Sequence, residues 1–180
     1  MTVIIDGTAG ITFPVTAGSA SAVQASSGRV LQVVQGSLTT TVSISNTAQG
    51  TLTDVGLSAS ITPSSSTSKI LVMVTMGAIS ANSNDFAFHL IRGSTEIGQS
   101  TTAASGSNGT GILGATGAEA NMPIPASITY LDSPATTSAT TYKMQVNNTN
   151  GSAQTVTINR RSSDTTYTMA SYMTLMEIAA

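Results

Sequence analysis

Cysteine and tryptophan are absent from the 180 residues, histidine occurs once, and only 8% of the chain is Asp, Glu, Lys or Arg. Each shortage removes a class of function. Without cysteine there is no disulfide framework and no thiolate metal site, so stability must come from packing and association. Six basic residues, of which only Arg160 and Arg161 are adjacent, leave no electrostatic footprint for a phosphate backbone. The longest apolar run, Ile70 to Val74, is far short of the roughly 20 residues that span a bilayer. The N-terminus has no basic region ahead of an apolar core and does not read as a signal peptide. Neither nucleic-acid binding nor membrane insertion is expected, and the protein is expected to be soluble.

Chemistry is equally scarce. A Ser-His-Asp arrangement needs a histidine base, and His89 lies between Phe88 and Leu90 in a strongly apolar stretch, where a core or interface histidine bonded to backbone fits better. No G-x-S-x-G elbow accompanies it. Glycoside cleavage needs two carboxylates about 5 to 10 Å apart. The eight acids, Asp6, Asp54, Asp85, Glu96, Glu119, Asp132, Asp164 and Glu177, are dispersed, and four Tyr with three Phe offer few platforms for a sugar ring. Asp54 and Asp132 suit turn capping. There is no D-x-D-x-D-G calcium loop, and the glycines between Gly106 and Gly117 lack the lysine and following helix of a phosphate loop. No catalytic, metal or cofactor residue is assigned, and no cofactor is expected.

Serine and threonine, by contrast, make up nearly a third of the chain. Threonine fits a pleated strand and serine satisfies turns without adding charge. A hydrophobic fraction of 40% and a net charge of -2 predict a folded chain with little repulsion between copies. The length suits one domain plus an arm.

Residues 1–28 carry two short apolar patches, Val3 to Ile5 and Ile11 with Phe13, before a small-residue stretch. They read as an extended attachment arm and linker, with the globular domain at 29–180. From Arg29 onward strands follow one another. Thr41 to Ser45 and Leu57 to Ile61 alternate strictly, so one face is buried and one wet. Lys69 to Met76 and Phe86 to Ile91 are apolar on both faces and should be covered on both sides. Further strands are expected at Ile128 to Leu131, Tyr142 to Val146, Val156 to Ile158 and Tyr167 to Ile178. Gln99 to Asn121, rich in Gly, Ser, Thr and Ala, reads as a functional loop, a surface insertion or a weak strand pair. Eight to ten short strands without a fixed repeat predict an all-β, antiparallel two-sheet sandwich or jelly roll. The last strand is apolar on both faces. Either a second layer of the same subunit covers it, or it packs around an oligomer axis through Tyr167, Met169, Tyr172, Met173 and Met176.

Six segments carry a resemblance: Ile5 to Pro14 (IDGTAGITFP), Gly28 to Val34 (GRVLQVV), Asp54 to Pro63 (DVGLSASITP), Lys69 to Val72, His89 to Gly93 (HLIRG) and Tyr130 to Pro134 (YLDSP). Together they resemble bacteriophage virion proteins, above all small tail-fibre or fibre-tip proteins of marine and cyanobacterial phages. The resemblance implies a trimeric jelly-roll head of tumour-necrosis-factor-like layout, made in the bacterial host cytoplasm and carried on the particle surface. Its function would be host attachment as a tail-fibre or receptor-binding subunit. Its partners would be its own copies, other virion proteins, and a host surface glycan or protein receptor. Ile4, Ile5, Ile11 and Phe13 would dock the arm on the virion. Capsid decoration is the alternative, and polysaccharide depolymerisation a remoter one.

Overall fold

A computed structural model describes residues 4–6, 10–12, 27–46, 49–81, 84–101, 109–115, 122–149 and 153–180, and among them there is no helix. Two strands lie in the arm: β1 (Ile4–Asp6) and β2 (Gly10–Thr12) pair antiparallel, with Ile5 opposite Ile11. The arm expected to be extended thus contains a short antiparallel strand pair; Phe13 and most of the linker lie outside the described residues.

The remaining strands are β3 (Val30–Leu38), β4 (Val42–Asn46), β5 (Thr53–Ile61), β6 (Lys69–Ala81), β7 (Asn84–Arg92), β8 (Thr95–Ile97), β9 (Gly111–Ala115), β10 (Ile124–Asp132), β11 (Thr140–Asn148), β12 (Gln154–Ile158) and β13 (Ser171–Ile178). They form two antiparallel sheets in which several strands run end to end. In the first sheet β12 and β13 share one side of β6, β10 takes its other side, and β3 and β4 continue outward from β13 and β12. In the second, β5 pairs β11, β11 pairs β7, and β8 and β9 share the far side of β7. Numbered in chain order, the resulting eight strand positions read 1-8-3-6 in one sheet and 2-7-4-5 in the other.

The segment from Gln99 to Asn121 is therefore partly strand: Ile112 pairs with Ala87 and Leu113 with Phe86 at the sheet edge. Thr110 closes the gap between β8 and β9, its hydroxyl donating to Ile97 O (3.1 Å) and accepting from Leu90 N (3.0 Å).

Alternation places the core between the sheets. Ile70, Val72, Val74 and Met76 of β6 and Met173 and Leu175 of β13 face Leu57 and Ile61 of β5, Phe86, Phe88 and Leu90 of β7, and Tyr142, Met144 and Val146 of β11. Burying each such side chain contributes about 1.5–3 kcal/mol. The expectation of double coverage divides here. On β7 the outward residues Ala87, His89 and Ile91 are buried too, whereas on β6 the outward Lys69, Met73 and Thr75 are exposed.

Two glycines permit close approach. A Cβ on Gly36 would sit 1.9 Å from Ser58 O, where the edge of β3 meets β5, and one on Gly77 would sit 2.2 Å from Ala170 O. Gly77 lies where the chain leaves the β6 ladder after β12 and returns for β13. The excursion 159–170 is rooted there by Asn159, which is fully buried with φ 62°.

Candidate interaction surface

Among the described residues, His89, Glu96, Asp54, Asp132, Asp164 and Glu177 are each held by their own partners. His89 lies on the outward face of β7, with Nδ1 3.0 Å from Glu96 Oε2 and Nε2 3.1 Å from Asn147 Oδ1. Its partners are side chains, not the backbone groups expected from sequence, and both ring nitrogens are engaged. Asp132, expected to cap a turn, instead ties the sheets together. At the end of β10 it is buried and accepts from Arg92 Nη1 of β7 at 2.8 and 2.9 Å and from the Tyr142 hydroxyl of β11 at 2.7 Å. Burial, then the donated bond and the Asp132 charge, push the Tyr142 hydroxyl pKa well up. Asp54 is held by Lys143 (2.9 Å) and Gln145 across the β5–β11 pair, and the bond from Lys143 is the main cause of its lowered pKa. Among the described residues no group of three His, Cys, Asp or Glu could hold a metal ion.

Glu177 is the most unusual carboxylate, because it is fully buried in β13 without a cationic partner. Ser64 donates to Oε1 through its backbone N–H (2.7 Å) and hydroxyl (2.6 Å), and Gln32 Nε2 donates to Oε2 at 2.7 Å. Burial pushes this carboxyl up, but the bonds from the Ser64 side chain, Gln32, Ser68 and the Ser64 backbone outweigh it and leave the pKa at about 2, against an ordinary 4.5. A pKa lowered on folding stabilises the native state fully above the unfolded value, and that stabilisation disappears as pH falls through the folded value. The stability difference between the wild type and Glu177→Gln is therefore expected to be constant above pH 4.5 and to shrink steadily towards pH 2. Urea denaturation at a series of pH values measures this; a difference that is flat across that window contradicts the assignment.

What remains open is surface. On the first sheet the register aligns Val33, Met176, Leu71 and Leu131 in one row across β3, β13, β6 and β10. The adjacent row is Gln35, Thr174, Met73 and Thr129, with Met73 41% exposed, and the row after it holds Tyr172, 42% exposed, with Ser37, Thr75 and Ser127. Tyr167 and Met169 are also exposed, at 57% and 50%, but they belong to the excursion 159–170 and not to the last strand. That excursion is internally bonded. Arg161 Nε donates to Asp164 Oδ1 at 2.7 Å and its guanidinium stacks 4.9 Å from the Tyr167 ring centroid, while Arg160 Nη1 donates to the carbonyls of Arg161, Ser162 and Asp164. The Arg161 bond holds the Asp164 carboxyl far below the usual carboxylate range.

Of the five interface residues predicted from sequence, Tyr167, Met169, Tyr172 and the half-buried Met176 face outward, whereas Met173 is fully buried between the sheets and leaves that set. Strand parity separates Met173 from Met176, while the break at Asn159 removes Tyr167 and Met169 from that parity. Val33, Leu71 and Leu131 were missed because they become one row only through pairing register. Of the arm residues, Ile4, Ile5 and Ile11 lie in the β1–β2 strand pair.

The molecule also has two different poles. Gly28 N donates to Ala179 O (2.7 Å) and Ala179 N to Arg29 O (2.8 Å), so the arm leaves at the pole that holds the connections 62–68, 93–94 and 133–139. The strand ends joined by 47–52, 82–83, 116–123 and 149–153 gather at the opposite pole. A depression of about 370 Å³ at the arm pole, lined by Arg92, Gly93, Pro134, Thr136, Ser138 and Thr140 among others, has no aromatic wall. Neither models of known protein families nor curated proteins match this chain.

Proposed function

We propose that this chain is a non-enzymatic structural subunit of a bacteriophage virion, of the tail-fibre or receptor-binding kind, attached to the particle through its N-terminal arm. The observation that carries the reading is the division between poles: the arm departs at one, and the strand ends joined by four connections lie at the other. Such a layout lets one end dock while the opposite loops meet a host glycan or protein, the usual location of binding residues on a rigid scaffold. Ile4, Ile5, Ile11 and Phe13 would insert into a groove or sheet edge of another virion protein. The strand orders 1-8-3-6 and 2-7-4-5 support the finer reading of the sandwich as a jelly roll of tumour-necrosis-factor-like layout. With that layout goes a homotrimer. The absence of enzymatic activity is inferred from the engagement of His89, Asp54, Glu96, Asp132, Asp164 and Glu177 by their own partners.

Deleting residues 1–14 is expected to leave a folded oligomer that no longer enters particles, measured by the protein content of purified virions. Normal incorporation would refute the docking role. Localisation by cryo-EM on the capsid shell instead of the tail would replace the reading with capsid decoration.

A further inference from the structure

We propose that the depression at the arm pole is a carboxylate-binding site, in which the guanidinium of Arg92 receives an Asp or Glu side chain of a partner protein. Arg92 stands at the end of β7, and its bonds to Asp132 and to Ser133 O all come from Nη1. Among the described residues nothing takes its Nε or Nη2. Those two nitrogens form the side-on fork of the planar group, which grips both oxygens of one carboxylate. Arg161 uses the same edge within this chain: its Nε and Nη2 donate to Oδ1 and Oδ2 of Asp164. Arg92 leaves that edge open, with its side chain 28% exposed.

The surroundings are already built. Asp132 fixes the guanidinium from the buried side, and its own oxygens are spent on Arg92 and the Tyr142 hydroxyl. On the rim, Thr136 Oγ1 accepts from Ser138 N (3.0 Å), Thr140 Oγ1 donates to Ser138 O (3.0 Å), and Gly93 N donates to Thr141 O (2.8 Å). A loop tied in this way loses little freedom on binding. The hydroxyl hydrogens of Thr136 and Ser138 remain as further donors in the same depression.

Chemistry selects the occupant. Arg92 is the single charged residue in the lining, so an anion is favoured and a cation is not. One guanidinium already shared with Asp132 suits a planar carboxylate, whereas phosphate calls for clustered cations. No aromatic ring lines the wall on which a sugar could stack, which favours an acidic side chain over an acidic sugar. The volume, about 370 Å³, lies near the lower end of the roughly 300–1,000 Å³ of small-ligand sites and fits one side chain with its flanking backbone. The depression shares its pole with the departing arm, so the partner is the protein on which the arm docks. That attribution rests on the proposed function; the carboxylate site does not.

The test is NMR titration of the isotope-labelled full chain with acetyl-Gly-Glu-Gly-amide, beside the same peptide with Gln and beside glucuronate. The Glu peptide is expected to shift the amide signals of Gly93, Thr136 and Ser138 saturably, with a dissociation constant on the order of 1–10 mM, and to bind at least about tenfold more tightly than the Gln peptide. Ala139 is exposed on the rim, where a new side chain leaves the core untouched. Ala139→Glu should weaken the Glu peptide at least about fivefold, and Ala139→Lys should tighten it. Arg92→Lys keeps a cation for Asp132 but loses the fork, so it should bind the Glu peptide as poorly as the wild type binds the Gln peptide. No saturable shift, equal binding of the two peptides, or indifference to the sign of the charge at position 139 overturns the site. Tighter binding of glucuronate than of the Glu peptide overturns the side-chain occupant. Because no particle enters this measurement, normal virion incorporation of the 1–14 deletion would remove only the attribution to a virion protein.

Discussion

Replacing Asn159 by alanine is expected to lower the unfolding free energy by about 3–5 kcal/mol. The residue stands where one strand position breaks into β12 and β13, with φ at 62°, a left-handed conformation that asparagine tolerates better than alanine. Its Nδ2 donates to Leu38 O (2.7 Å) and Thr40 O (3.0 Å), at the gap between β3 and β4. Its Oδ1 accepts from the Ser171 hydroxyl (2.6 Å), and its backbone bonds Ala78 O and Met169 N. Alanine takes the Nδ2 donor from the Leu38 and Thr40 carbonyls and the acceptor from the Ser171 hydroxyl, which keeps the bond from Gly77 N; the loss at the buried Leu38 and Ser171 costs about 1–3 kcal/mol each before relaxation, and alanine adds backbone strain.

Asn159→Gly separates the two contributions. Glycine adopts the left-handed conformation freely but restores none of the side-chain bonds, so its loss should be about 1 kcal/mol smaller than alanine's. Urea denaturation of the two variants gives the difference directly. If Asn159→Ala falls within about 0.5 kcal/mol of the wild type, the residue does not root the excursion.

The second large effect is expected at Asp132. Asp132→Ala leaves the Arg92 guanidinium and the Tyr142 hydroxyl facing a buried gap between the sheets, and removing one partner of a buried ion pair typically costs about 3–5 kcal/mol. The Arg92 side chain is 28% exposed, so water can reach part of it, which places the expected loss at the lower end, about 3 kcal/mol. Tyr142→Phe removes one bond and keeps the ring in the core, so about 1–2 kcal/mol is expected. In a double-mutant cycle Asp132 and Tyr142 should couple strongly, since Tyr142→Phe has little left to remove once Asp132 is gone. Simple additivity of the two losses would mean that the bond across the sheets contributes nothing.

These two sites also mark where reading along the chain stops. Alternation at Thr41 to Ser45 and Leu57 to Ile61 places strands correctly, because the period of two is a local property of the pleat. The apolar character of β6 and β7 is equally visible, yet the two differ in coverage: the outward side of β7 is buried and that of β6 is open. The run from Tyr167 to Ile178 reads as one strand in sequence. In the structure its first residues belong to an excursion, because Asn159 turns the chain out of the ladder and Ser171 brings it back.

By itself, the amino-acid sequence determined the fold class: Thr- and Val-rich alternation makes sheets, and the missing cysteines leave stability to packing. Tertiary structure alone decided which residues work together. Asn159 meets Leu38 across 121 positions, Glu177 meets Gln32 across 145, and Val33, Met176, Leu71 and Leu131 become neighbours only through strand register. The physical reason is one of range. Side-chain alternation is set by the bonds of a single strand, whereas a buried polar group or an apolar row is completed by strands whose pairing depends on the whole fold.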